Sequence, residues 1–332
     1  MNTATQPVPI VELPYADWQF AAPDNSTLTD QLEQGQVLCF PQLAFALSEQ
    51  EQALLAPELV DPKRKNISFN VDRDHINGVA DPANEAVVRA LLERYYQATR
   101  NLVGTLLPEY KGKLLEPVNS LRVHEISQWQ GKSSWRKDDT RLHVDAFPSR
   151  PIHGQRIIRV FHNINPHGVP RVWRVGEPFE QLAERLLPRL KPYSGLSSSL
   201  QAALKITKSR RSHYDHLMLG LHDAMKADMD YQSHGRQWSV DFQPGTTWMV
   251  FSDQTPHAAM SGQYMLEQTF LLDVESQKTR SCRRCGYWSV SRGSRCCEDM
   301  GARAVLSRIK TACQKRKASV NALSRHTTKV LQ

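Results

Sequence analysis

The residues of this chain best suited to chemistry by type and spacing are two histidines and an aspartate. His143 and Asp145 stand one residue apart in Leu142-His143-Val144-Asp145-Ala146-Phe147-Pro148-Ser149-Arg150-Pro151, and Pro256-His257 follows more than a hundred residues later. Side chains alternate along an extended segment, so His143 and Asp145 point to the same face. A histidine returning from a distant strand completes two imidazoles and one carboxylate on one side of a metal. Such a facial triad leaves the remaining coordination positions open, as in non-haem Fe(II) oxygenases. His-x-Asp alone arises often by chance. The interval to His257 adds weight because it leaves room for the strands of a jelly roll.

An oxygenase of this kind draws electrons for O2 from a cosubstrate, usually 2-oxoglutarate. The cosubstrate chelates iron through its 2-oxo acid end, and its far carboxylate calls for a cation, best a bidentate Arg. One common arrangement places that cation about ten residues beyond the distal His. Here Ala258 to Glu275 holds no Lys or Arg, and Gln268 stands near that position. Another places it on the strand after His-x-Asp, where Arg159 fits and Arg156 is the fallback. Burying Arg159 without an anion is costly, so an inward Arg159 implies one. Among the other histidines, His124 is a candidate to support a ligand from behind. His216 and His222 are six apart, a spacing that does not put two side chains on one face of a helix.

The elements that must carry these residues are short strands with Gly/Pro turns. Gly35 to Pro41 is an apolar strand stopped by proline, and Ser48 caps a helical stretch through Leu55. Asn84 to Leu107 has apolar residues at helical spacing between Pro82 and Pro108. Pro117 to Ile126 and Gln155 to Pro166 alternate as strands, the second placing Arg159, Phe161 and Asn163 on one face and Ile158, Val160 and Ile164 on the other. Arg171 to Val175, Gln237 to Phe242, Thr247 to Phe251 and Tyr264 to Val274 are further strands, with helices at Glu180–Leu190 and Tyr214–Met229. Lys63-Arg64-Lys65 is a basic turn that could belong to a substrate surface or simply be solvated. The expected fold is mainly β with helical additions, a double-stranded β-helix (jelly roll) core. Residues 1–30 read as an irregular lead-in, 31–276 as the dioxygenase domain and 277–332 as a separate tail.

Composition restricts the alternatives. Of 332 residues, 40% are hydrophobic and 23% charged, which suits a globular chain. No apolar run is long enough to span a membrane, and the N-terminus lacks the pattern of a secretory signal, so a cytoplasmic protein is the default. The net charge of +8 is unevenly spread. From Lys278 onward there are 14 Lys and Arg against 2 Asp and Glu, which leaves the body net acidic. A basic tail with Cys282-x-x-Cys285 and Cys296-Cys297 raises a nucleic-acid-binding alternative. Adjacent cysteines are poor partners at one tetrahedral metal, no His accompanies them, and no nucleic-acid partner is expected. Cys39, alone in an apolar run, reads as a core thiol.

Taken together, the segments Leu142–Pro151, Arg159-Val160-Phe161-His162-Asn163-Ile164-Asn165-Pro166, the Tyr214–Met229 helix and Ser261-Gly262-Gln263-Tyr264-Met265-Leu266-Glu267-Gln268-Thr269-Phe270 resemble the Kdo hydroxylase family over about residues 30 to 275. The resemblance implies an Fe(II)/2-oxoglutarate/O2-dependent dioxygenase that adds a 3-hydroxyl to 3-deoxy-D-manno-oct-2-ulosonic acid (Kdo) on a Kdo-lipid A precursor. That places it in lipopolysaccharide biosynthesis, in peripheral contact with the cytoplasmic face of the inner membrane. An anionic glycolipid calls for basic residues at the mouth of the site, with Arg141, Arg150, Arg171 and Arg174 as candidates. The tail departs from the resemblance, and a reading-frame shift near residue 277 would account for its abrupt change of composition. A non-redox, cupin-like sugar-binding or isomerase protein on the same jelly roll is the rival reading.

Overall fold

The computed structural model describes residues 9–21, 27–129 and 134–278. Its strands are β1 (Ile10–Glu12), β2 (Val37–Phe40), β3 (Ile67–Asn70), β4 (His75–Asn77), β5 (Leu114–Arg122), β6 (Arg156–Asn163), β7 (Arg171–Gly176), β8 (Gln237–Phe242), β9 (Thr247–Phe251), β10 (His257–Ser261) and β11 (Met265–Leu272). They form an eight-stranded sheet in the order β1-β2-β9-β6-β11-β5-β3-β4 and a three-stranded sheet in the order β10-β7-β8. All pairings are antiparallel except β1 with β2. With its helical additions this is the expected jelly-roll class.

Period-two alternation places each central strand's side chains in two different environments. On β6, Ile158 and Val160 pack with Phe40, Met249 and Phe270 on the outer face of the large sheet. Phe161 points the other way and packs with Trp248, Trp173 and Phe242 between the two sheets. The Phe242 and Trp248 rings stack with centroids 4.1 Å apart, and Trp173 meets Trp248 edge-on at 5.5 Å. The long helix Glu85–Leu106 covers the outer face with Val88, Leu91, Leu92, Tyr95, Leu102, Val103 and Leu106. Each such burial stabilises the fold by about 1.5–3 kcal/mol relative to exposure.

Several expectations need adjustment. The lead-in is not wholly irregular, since Ile10–Glu12 adds a parallel strand to β2 and Leu28–Glu33 is helical. The strand expected from Pro117 starts at Leu114 and ends at Arg122, with a kink at Glu116, which has a positive φ of 48°. The Tyr214–Met229 helix is two helices, His213–Ala227 and Met229–His234. The break falls at Asp228, whose carboxylate accepts the Tyr231 N–H and caps the second helix. A further helix, Gly195–Ala203, is not among the expected elements, although Leu196, Leu200 and Leu204 recur at helical spacing. Cys39 is a buried thiol, its pKa pushed up to about 12 by burial and by Glu12. The paired cysteines of the tail lie outside the described residues.

Candidate metal centre

Among the described residues, one group of His, Cys, Asp and Glu could hold a metal ion. It is His143, Asp145 and His257, whose donor atoms lie within 4.8 Å of one another. The segment 142–145 is held in extended form by exchanging hydrogen bonds with the neighbouring loop. His143 and His257 each donate a backbone N–H to the other's carbonyl, at 3.0 and 2.9 Å, and Asp145 N–H donates to Ser252 O at 2.9 Å. The His-x-Asp pair therefore sits in an isolated bridge, not a full strand, and His257 is the first residue of β10. The bridge joins the His-x-Asp segment directly to the small sheet, which brings the imidazole rings to 4.8 Å between centroids.

The tautomers of both histidines follow from their backbone partners. His143 Nδ1 lies 2.7 Å from Arg141 O and His257 Nδ1 lies 2.8 Å from Thr255 O. A carbonyl only accepts, so each Nδ1 carries the proton and each Nε2 keeps its lone pair. Burial pushes both imidazoles below their usual pKa, His143 furthest, with Lys226 and His257 adding to the effect. Burial alone would raise the Asp145 carboxyl, yet the Arg159 guanidinium holds it well below the usual carboxylate range. Its Oδ2 is buried without a hydrogen-bond partner. Two neutral Nε2 donors and an ionised carboxylate, whose Oδ1 lies 3.8 Å from His143 Nε2, make a fitting donor set for Fe(II).

The triad opens into a cavity of about 210 Å³ that holds an unusual density of cations. Arg122, Arg159 and Arg171 line it from three different strands, and Lys65 and Lys137 also border it. Arg159 Nε is 3.2 Å from Asp145 Oδ2, and its Nη1 is 3.4 Å from Glu267 Oε1. Arg122 Nε donates to Glu267 Oε2 at 2.9 Å. Arg171 Nη1 donates to Gly262 O at 3.0 Å, while its Nε is buried without a hydrogen-bond partner. Burial, with Arg122 nearby, pulls the Arg171 pKa down to about 9. The lining carries five Lys and Arg (Lys65, Arg122, Lys137, Arg159, Arg171) against four carboxylates (Asp138, Asp139, Asp145, Glu267), so with Asp145 given to a metal the cations are in excess. The cavity is suited to an anion.

Of the three residues named for the cosubstrate, only Arg159 lines this cavity. Arg156 is fully buried elsewhere, its Nη1 donating to Asp253 Oδ2 at 3.0 Å and to Tyr214 Oη at 2.9 Å. Gln268 lies on the face of β11 that carries Leu266, Phe270 and Leu272 against the long helix, while Met265 and Glu267 line the cavity. Parity along the strand decides this. Among the four mouth candidates, only Arg171 lines the cavity. Arg141 donates to Lys226 O, Arg150 pairs with Glu116, and Arg174 donates to Thr140 O and Gln232 O. Lys65 of the basic turn does reach it, as does His124.

Other site residues escaped notice. Arg122 ends a strand whose polar residues gave no hint of direction. Trp173 stacks on His257 with centroids 5.0 Å apart and 19° between planes. His222, set apart from His216 by spacing, meets His143 edge-on at 5.4 Å. The alternation of β7, which puts Arg171 and Trp173 on one face, could have flagged Trp173.

A jelly roll with a His-Asp-His facial triad, opening into an arginine-rich cavity, defines an Fe(II)/2-oxoglutarate dioxygenase. The family model described as 3-deoxy-D-manno-oct-2-ulosonic acid (Kdo) hydroxylase matches residues 16–284, and the chain belongs to that family. The apo structure of the Kdo hydroxylase KdoO, a non-heme Fe(II) alphaketoglutarate-dependent dioxygenase, is 41% identical and superposes with a TM-score of 0.79, covering 84% of this chain and 94% of its own. Its complex with alphaketoglutarate and Fe(III) matches over the same shares at 41% identity and a TM-score of 0.78, as does its complex with succinate and Fe(III). No curated protein sequence matches the chain. The non-redox jelly-roll reading finds no support in these relatives.

Proposed function

We propose that this chain hydroxylates the Kdo of Kdo-lipid A at its 3-position, with Fe(II), 2-oxoglutarate and O2, to give D-glycero-D-talo-oct-2-ulosonic acid. The observation that carries the reading is the His143–Asp145–His257 cluster facing a cavity with three arginines. The family membership supplies the sugar.

His143 and His257 would bind iron through Nε2 and Asp145 through its carboxylate. Bound Fe(II) supplies the oxidative decarboxylation of 2-oxoglutarate to succinate and CO2, coupled to insertion of one oxygen atom of O2 into a sugar C–H bond. Arg159 balances the charge of Asp145 and, with Arg122 and Arg171, receives the far carboxylate of the oxo acid. Trp173 holds the His257 ring in place by stacking and closes that wall of the cavity to water. Lys65 and Lys137 stand where an anionic sugar would enter. The acceptor is a lipid and no helix among the described residues is long and apolar enough to cross a membrane, so contact with the cytoplasmic face of the inner membrane is peripheral in this reading.

The test is an anaerobic titration with Fe(II) and 2-oxoglutarate, followed by addition of O2 and Kdo-lipid A. A weak visible charge-transfer band, lost in His143→Ala, and succinate formation coupled to a mass gain of one oxygen on the glycolipid are expected. Folded protein that binds iron but shows neither band nor coupled turnover would sink the proposal.

A further inference from the structure

The helix Gly195–Ala203 is built inside out. Its inward residues are polar: Ser198 is buried and donates to Arg211 O at 2.8 Å, and Gln201 Oε1 accepts from Arg211 Nη1 at 2.9 Å. Its outward stripe is aliphatic. Leu196 is 87% exposed, Leu200 60% and Leu204 62%, at four-residue spacing, and Ile206 just beyond is 58% exposed. A surface helix of a globular protein turns its apolar stripe to the core, so the reversal calls for an apolar partner outside the fold.

The charge around the stripe indicates which partner. Between Glu184 and Asp215 the chain carries seven Lys and Arg and no Asp or Glu. Of these, Lys205, Lys208 and Arg210 are exposed and adjoin the aliphatic ridge in sequence. Aliphatic side chains flanked by a one-signed basic segment match a bilayer surface with anionic headgroups. The ridge is also tied to the metal-binding segment: Lys208 N–H donates to Ser149 O at 2.8 Å, and Arg211 donates to Pro148 O.

We infer that Leu196, Leu200, Leu204 and Ile206, with Lys205, Lys208 and Arg210, form the surface by which this protein docks on an anionic phospholipid bilayer. The inference rests on the proposed glycolipid substrate for its purpose, but docking is measured without that substrate. The ridge enters the headgroup boundary and the basic residues meet lipid phosphates. Docking at this surface anchors the chain a few residues from His143 and Asp145.

The full chain is sedimented with phosphatidylglycerol-containing and pure phosphatidylcholine vesicles, as wild type and as the triple variant Leu196→Ser, Leu200→Ser, Leu204→Ser. Amide exchange across residues 195–206 is followed with and without vesicles. Expected are binding that favours the anionic vesicles, at least about a tenfold loss in the triple variant from three exposed leucines, and new exchange protection confined to this segment. The variant should keep the Fe(II)/2-oxoglutarate band, so a failure of docking is separable from a failure of the oxygenase reading. Wild-type binding without protection of 195–206, equal binding by the variant, or no binding at all overturns the inference. So does protection that arises without vesicles through self-association.

Discussion

Arg159 Nε lies 3.2 Å from Asp145 Oδ2, and the same guanidinium lies 3.4 Å from Glu267 Oε1. One buried cation thus stands between a metal-ligating carboxylate in the proposed site and a second carboxylate that Arg122 also holds. Removing it leaves Asp145 and Glu267 facing each other across a cavity that should receive a dianion. Arg159→Leu is therefore expected to weaken 2-oxoglutarate binding about tenfold or more, the scale of one lost charge-assisted hydrogen bond. Arg159→Lys should recover part of the loss, because a point charge cannot serve both carboxylates with a fork. Titration of the visible band checks this, and an Arg159→Leu protein with wild-type affinity would show that the acid is held elsewhere.

Gly262 tests the place of Arg171 in the cavity. Its φ is +114°, and a Cβ there would come within 2.8 Å of Arg171 Cδ and 3.0 Å of Arg171 Cα. Gly262 O is also the acceptor for Arg171 Nη1. Gly262→Ala should displace the guanidinium and raise the 2-oxoglutarate dissociation constant while leaving Fe(II) binding nearly unchanged. Parallel titrations with metal alone and with the acid separate the two effects.

Arg156 should matter for stability and not for the cosubstrate. Arg156 and Asp253 are each 1% exposed at the side chain and pair at 3.0 Å. Removing one partner of such a pair costs about 3–5 kcal/mol because the other charge stays buried. Arg156→Leu should lower the denaturation midpoint accordingly, and Arg156→Leu with Asp253→Leu should recover much of it. Per folded molecule, the affinity for 2-oxoglutarate should be unchanged in both. A selective loss of that affinity in Arg156→Leu would restore this residue as the anchor.

His162 should make the fold acid-labile. Its Nε2 accepts from Phe45 N–H at 3.1 Å and its Nδ1 meets Thr247 Oγ1 at 2.8 Å, so the ring is neutral. Burial lowers its pKa to about 3, below the value of an unfolded chain. Between those two values the unfolded state binds the extra proton, so stability is full above the unfolded pKa and falls as pH drops toward about 3. At pH 5 the loss from this group is on the order of 2 kcal/mol relative to neutral pH. Chemical denaturation at both pH values, in wild type and His162→Gln, should show a smaller acid loss in the variant. Equal losses would remove His162 from the explanation.

Local pattern was enough to find the triad and the class of fold. His-x-Asp on an extended segment, a proline-delimited histidine far downstream, and alternating strands with Gly/Pro turns are short-range signals, and side-chain alternation converts them directly into faces. The same rule correctly separated Arg159 and Phe161 from Ile158 and Val160 on β6. The helix Glu85–Leu106 was equally plain, because its apolar spacing and its flanking prolines agree. What lay beyond reach were the relations that depend on which strand pairs with which. Gln268 and Arg156 fit by distance along the chain. Only the pairing of β11 with β5 and β6 shows that Gln268 faces the long helix, and only the closure of the Ser252–Pro256 loop gives Arg156 a buried carboxylate. Arg122, Arg171 and Trp173 become neighbours because the two sheets pack face to face, a contact no local spacing encodes. Sequence alone therefore determined what could bind iron, through residue types and alternation. The tertiary structure decided which cations share the cavity with it, because sheet pairing, not sequence distance, sets where a buried charge finds its partner.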